Sequence, residues 1–162
     1  MSFEWIAYAS AFAGLCAALV AGVFQLFSDF VMAGLRRAAP AGGIEAMQQL
    51  NRTVFRSQFI FTFLALVPAS LGLAIYAFFA TDGTARLLMI AAAIVYFVTV
   101  FVVTIAGNVP MNERLDELVH TSAEAAAYWD HYGRVWTRWN TVRTIGSIVT
   151  AACYLSASLQ LV

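Results

Sequence analysis

The sequence predicts an all-α protein, a membrane-embedded antiparallel four-helix bundle with four transmembrane helices in one domain over residues 1–162. Two observations carry this expectation. Hydrophobic residues make up 62% of the chain, charged residues 11%, and mean hydropathy is +0.78. A water-soluble domain is roughly half apolar and a quarter charged, and a chain this small cannot hide such an excess in its own core. Second, four uncharged runs each approach the roughly 20 residues a helix needs to cross hydrocarbon, without the alternation of a membrane β-barrel.

The first span is expected over about residues 5–35. The segment Met1-Ser-Phe-Glu-Trp5 lacks the basic stretch of a signal peptide, and the apolar run after it is too long for one, so it reads as a retained span. Arg36-Arg37-Ala-Ala-Pro-Ala-Gly-Gly43 breaks the helix. Ile44 to Arg56 reads as helical and continuous with the second span, about residues 53–81. Thr81-Asp-Gly-Thr84 is a tight turn, and the third span follows over about residues 85–108. Pro110 starts or kinks a helix, and Glu113-Arg-Leu-Asp-Glu-Leu-Val119 has amphipathic spacing, which predicts a helix over about 110–119. Thr121-Ser-Ala-Glu124 has the form of a capping box. It opens a helix from about Ala123 to near the C-terminus, which carries the fourth span over about residues 140–161.

Charge predicts orientation. Arg36, Arg37, Arg52 and Arg56 flank the first connection, Arg114, Arg134, Arg138 and Arg143 the third, and Arg86 alone the second. The positive-inside rule then puts the first and third connections in the cytoplasm and both termini on the non-cytoplasmic side, with a bacterial inner membrane as the expected location. A net charge of zero and a pI near 6.7 point away from nucleic acid. The expected partners are membrane lipids, a hydrophobic aromatic small molecule, and further copies of the chain.

No metal and no cofactor is expected. His120 and His131 lack metal-site spacing, and Glu113, Asp116, Glu117 and His120 fit a solvated helix face. There is no phosphate-binding loop and no nucleophile elbow. Cys16 and Cys153 lie in apolar runs and read as small buried hydrophobes.

The candidate site comes from helical phasing at about 100° per residue. On the first helix Ser10, Gly14, Ala18, Gly22, Gln25 and Asp29 share an arc, small at the outer end and polar at the inner. On the last helix Trp129, Tyr132, Trp136, Trp139, Asn140, Arg143, Ser147 and Tyr154 share another, leaving His131, Arg134 and Arg138 off it. Gln48, Asn51 and Arg52, with Phe55 and Phe59, mark a face before and into the second span, and Asn108 and Asn112 one at the end of the third. These clusters fall at one depth and predict a cavity, polar near the inner membrane surface and aromatic deeper. Its polar part would hold Gln25, Asp29, Gln48, Asn51, Arg52, Asn108, Asn112, Asn140 and Arg143, with Asp29 paired to Arg52 or Arg143. The same residue types also serve as interhelical glue and as aromatic belts at headgroup level.

Four stretches carry a resemblance. Gly22-Val-Phe-Gln-Leu-Phe-Ser-Asp-Phe-Val-Met32, Gly43-Ile-Glu-Ala-Met-Gln-Gln-Leu-Asn-Arg52, Gly107-Asn-Val-Pro-Met-Asn112 and Trp136-Thr-Arg-Trp-Asn-Thr-Val-Arg143 resemble the anthrone oxygenase-like membrane proteins. The resemblance covers nearly the whole chain. It implies cofactor-independent oxidation of a hydrophobic phenolic or anthrone-like substrate, in which a base removes a proton and the resulting anion reacts with dioxygen. Asn108, Asn112, Trp136, Trp139, Asn140 and Arg143 match the shared motifs. Thr141 stands where the family pattern places a His, which leaves His131 and Asp29 as the bases available. On this basis the catalytic candidates are Asp29, His131, Asn140 and Arg143. The ligand-binding candidates are Gln25, Gln48, Asn51, Arg52, Asn108, Asn112, Trp136 and Trp139. A non-catalytic protein that binds a lipid, quinone or other amphipath, and a structural or partner-binding bundle, remain as alternatives.

Overall fold

The computed structural model describes residues 4–162, so Met1, Ser2 and Phe3, on which the retained-span reading partly rests, lie outside the described residues. Helix α1 (Glu4–Leu26) passes through a π-helical turn (Phe27–Val31) into α2 (Met32–Arg37). Helix α3 (Pro40–Thr53) ends in a short 3₁₀ turn (Val54–Arg56), and α4 (Gln58–Ala80) follows. Helix α5 (Gly83–Val95) continues through two π-helical stretches (Tyr96–Val102 and Thr104–Asn108) into α6 (Val109–Glu117), and α7 (Ala123–Gln160) closes the chain. Among the described residues there is no strand. The protein is an all-α bundle, and four of its helical runs are long and apolar enough to cross a membrane: Trp5–Arg37, Gln58–Ala80, Gly83–Glu117 and Ala123–Gln160.

Several boundaries differ from the expectation, each for a local reason. The second span does not continue from α3. Ser57 is extended (φ −95°, ψ 156°) and caps α4, its Oγ accepting from Ile60 N at 3.2 Å, so the helix begins at Gln58 rather than near residue 53. The amphipathic helix expected over about residues 110–119 is present as α6 (Val109–Glu117), and it continues the third span rather than standing apart from it. Pro110 has no N–H and its ring would crowd the carbonyl four residues back in a regular α turn. The preceding turn is instead wide, with Val109 N donating to Thr104 O, and the third helix runs on through Pro110 to Glu117. The cap of α7 is Ser122, not Thr121. Its Oγ accepts from Ala125 N at 3.1 Å, and α7 then extends for 38 residues.

Helix α7 packs along α1 and α5, α4 packs against both α5 and α1, and the four runs close on one core. Small residues set how closely the helices approach. A Cβ on Gly14 would lie 2.8 Å from Leu155 Cγ, and one on Gly146 would collide with the Thr99 side chain. Ser10 Oγ donates to Tyr154 O at 2.8 Å, and Tyr96 Oη to Phe63 O at 2.9 Å, so these two buried hydroxyls bond to backbone. Cys16 and Cys153 are free, half-buried thiols packed on this core. The turn between α4 and α5 places Gly83 at φ 62°, a conformation that favours glycine.

A second core lies at the arginine-rich end. Met32, Ile44, Met47 and Leu115 pack against Tyr128, Trp129, Tyr132 and Trp136 of α7. Helices α2, α3 and α6 thus cap the first half of α7, where it extends beyond the other spans. Ion pairs at the rim fasten this cap, Arg36 to Asp130 at 2.7 Å and Arg52 to Asp116 at 2.8 Å, while Arg134 meets Asp130 within α7.

Candidate functional site

A cavity of about 340 Å³ lies where the two cores meet. Its walls are Phe24 and Phe27 from α1 and the turn after it, Met47 and Asn51 from α3, Phe59 and Phe63 from α4, Thr104 and Asn112 from the third run, and Trp136, Asn140 and Arg143 from α7. Two of the three π-helical stretches contribute to it through Phe27 and Thr104. Such widened turns often mark functional positions. Val23, Leu50 and Phe55 also line the cavity, and all three are exposed (Phe55 71%), which places its mouth between α1 and the corner joining α3 to α4.

Arg143 forms the polar end. It is 6% exposed. Its Nη2 donates to Asn140 Oδ1 at 2.7 Å and its Nη1 to Thr104 Oγ1 at 3.3 Å, while Nε is buried without a partner. The guanidinium carbon lies 4.2 Å from the Phe24 ring centroid and 5.5 Å from that of Trp136. Arg36, Arg52, Arg86 and Arg134 each meet a carboxylate, whereas among the described residues none pairs with Arg143. A buried guanidinium held only by amide, hydroxyl and aromatic faces retains most of its attraction for an anion.

Asn140 orients that arginine. Its Nδ2 donates to Phe24 O at 2.5 Å and to Ser28 Oγ at 2.8 Å, so its Oδ1 must face Arg143. Ser28 Oγ in turn lies 3.1 Å from Thr141 Oγ1, which connects residue 141 to the cavity through a hydroxyl. Asn112 Oδ1 accepts from both Tyr132 Oη and Trp136 Nε1 at 2.8 Å. Asn51 lies against the Tyr132 hydroxyl with its Nδ2 buried.

The structure therefore brings together Asn51, Asn112, Trp136, Asn140 and Arg143, and separates the other candidates from them. Asp29 pairs with neither Arg52 nor Arg143. It is exposed, and Gln25 Nε2 donates to it at 3.3 Å on the outer surface. The physical reason is drift: each step of four residues along a helix advances about 40°, so Ser10 and Gly14 face inward while Ala18, Gly22, Gln25 and Asp29 turn out. The inward stripe of α1 runs instead through Ser10, Ala13, Ala17, Val20 and Phe24. Arg52 is engaged by Asp116 at the rim. Gln48 is buried but structural, its Nε2 donating to Leu115 O at 2.7 Å and Leu118 O at 2.8 Å, where it caps the end of α6. Asn108 is buried and bonds Trp136 O at 3.2 Å, outside the cavity lining. Trp139 is 42% exposed and rests on Gly107, and His131 is exposed.

Phe24, Phe27, Met47 and Phe63 line the cavity without standing among the candidates read from the sequence. The available clue was the step of three from Phe24 to Phe27 on the inward face of α1, masked by aromatic residues on every side of the helix.

No curated protein and no solved structure matches this chain. The family model described as anthrone oxygenase matches residues 51–153, well over half of the chain, from Asn51 of the cavity wall past Arg143. That extent makes the membrane-embedded bundle, with Arg143 buried against a largely apolar cavity, a member of the anthrone oxygenase family.

Proposed function

We propose that the cavity takes a hydrophobic aromatic compound with one acidic oxygen from the membrane, holds that oxygen as its anion on Arg143, and exposes the anion to dioxygen. One observation carries the reading: Arg143 is buried, unpaired with any carboxylate among the described residues, and turned to a largely apolar cavity. A preorganised cation of this kind stabilises charge that develops as a bound phenol or ketone ionises. Phe24 and Trp136 would bracket a flat ring system beside it.

For an anthrone-like ketone the electron count closes. The ring methylene loses a proton, and the electron pair passes to the carbonyl oxygen facing Arg143. The electron-rich carbon then bonds to dioxygen, giving a hydroperoxide. Loss of the second hydrogen as a proton with cleavage of the O–O bond releases water and leaves a second carbonyl. One dioxygen is reduced by four electrons and the methylene oxidised by four. The residues of this chain bind, orient and stabilise the anion, and a water molecule taken into the cavity receives the first proton and returns it to the peroxide.

Retention of a quinone or similar amphipath without turnover is the second reading. It is favoured by the positions of His131 and Asp29, both exposed and outside the cavity wall. Oxygen uptake and anthraquinone formation by the purified protein given anthrone separates the two. The oxygenase reading expects uptake that falls at least about tenfold in Arg143→Gln. Binding without uptake over a panel of electron-rich phenols leaves retention as the function.

A further inference from the structure

The outer flank of α1 carries charge that nothing in the chain answers. Ala18, Gly22, Gln25 and Asp29 fall within about 60° of one another at 100° per residue, and all four are exposed. Asp29 accepts from Gln25 Nε2 at 3.3 Å, but among the described residues no basic group pairs with it. Arg138, exposed on α7, likewise pairs with no carboxylate among them. The two lie close in depth. Ser28 Oγ and Thr141 Oγ1 meet at 3.1 Å, and Asp29 is one residue beyond Ser28 while Arg138 is three before Thr141. Because α1 and α7 run in opposite directions, that leaves the two charges roughly 3 Å apart along the helix axes. They also share a side. Phe24 meets the rings of Phe59 and Phe63 on α4, and Gly146 abuts Thr99 after α5. Counted from those contacts and from Ser28 and Thr141, Asp29 and Arg138 both turn to the side of the α1–α7 pair away from α4 and α5.

We propose that this face joins two copies of the chain about a two-fold axis along the membrane normal. Only an axis in that direction gives both copies the same orientation in the bilayer. Rotation by half a turn sets α1 of each copy along α7 of the other. Asp29 of each then faces Arg138 of the other at nearly the same depth, so one charge pair forms twice. Gly22, where a Cβ would meet nothing within 4 Å, and Ala18 come opposite the turn of α7 that exposes Ile145 and Ile148. Small residues there let the backbones approach. The charges select the occupant. An anionic lipid headgroup would attract Arg138 and repel Asp29, and acyl chains would answer neither, whereas a second copy answers both. The cavity mouth at Val23 lies on the other flank of α1, toward α4, and stays open to the membrane. The interface is independent of the reading given to Arg143.

The test is energy transfer between donor- and acceptor-labelled copies of the full chain in phosphatidylcholine vesicles, over a range of protein-to-lipid ratios. The wild type is expected to follow a monomer–dimer equilibrium. Asp29→Arg alone and Arg138→Asp alone each set like charges opposite one another, and each should weaken association by about tenfold or more. Mixing the two variants pairs opposite charges at both contacts again. The mixture should recover association to within about threefold of wild type, and so should the chain carrying both substitutions. A lipid headgroup bound at this face predicts no such recovery. Gly22→Leu, at a position open within the chain, should keep the wild-type melting temperature and weaken association by about tenfold. A wild type that stays monomeric at every ratio overturns the interface. So do single reversals that associate like the wild type, and losses that neither the mixture nor the doubly substituted chain repairs.

Discussion

Arg143 is the residue on which the cavity turns, and its worth comes from what it lacks. Arg134, nine residues earlier on α7, is exposed and paired with Asp130, so truncating it removes a rim contact worth little. Substituting Arg143→Gln should weaken binding of an acidic aromatic ligand by at least about tenfold, and Arg134→Ala by less than about twofold, as calorimetric titration would show. Equal losses would contradict the division. Asn140→Ala should lower both affinity and melting temperature, since it frees the Phe24 carbonyl and the Arg143 guanidinium together. Much of this was legible in the sequence. Phasing at 100° per residue sets Asn140 and Arg143 apart from Arg134 and Arg138 on α7, and the burial of these residues follows that division. Asp29 was not legible, because a face drawn in steps of four is too wide to tell groove from surface. Neither was the engagement of Gln48 and Arg52, whose partners lie more than sixty positions away on α6.

At the scale of elements, the irregular turns shape the cavity. The corner at Ser57 ends α3 and turns the chain into α4, so that Asn51 and Phe59 face one space. Ser57→Ala should cost about 1 kcal/mol through loss of the cap, read as a lower denaturation midpoint in detergent. The widened turns before Pro110 keep the third helix continuous. The proline was visible in the sequence, but the wide turn that accommodates it was not, because both choices present the same apolar composition. Gly146 holds α7 against the π-helical stretch that follows α5. Gly146→Ala should destabilise the bundle by about 2–3 kcal/mol, because the added methyl overlaps Thr99 and neither backbone can withdraw freely. A thermal melt unchanged from wild type would count against that contact.

For the whole molecule, length and charge together suggest a placement. Helix α7 has 38 residues, roughly 57 Å at 1.5 Å each, against a hydrocarbon core of about 30 Å. Counting back from Gln160, Arg143 lies roughly 26 Å along it, close to the opposite boundary. Its charge therefore sits where the membrane ends rather than at its centre, and the capped half of α7 stands beyond. We propose that this arginine-rich end faces the cytoplasm and both termini the other side. A reporter active only outside the cytoplasm should accordingly be active when fused after Val162 and silent when inserted between α6 and α7. The reverse pattern would invert the molecule.

The mouth between α1 and the corner at Ser57 has a further consequence. Val23, Leu50 and Phe55 at its rim are apolar and exposed, so the opening faces acyl chains rather than water. A ligand using that entrance equilibrates with the bilayer first and with the protein second. The concentration that matters is then moles of ligand per mole of lipid. Adding empty vesicles or detergent micelles at constant total ligand should lower occupancy by dilution within the apolar phase, with no change in the protein. Two laboratories measuring the same protein at different lipid loads would report different molar affinities and the same mole-fraction affinity.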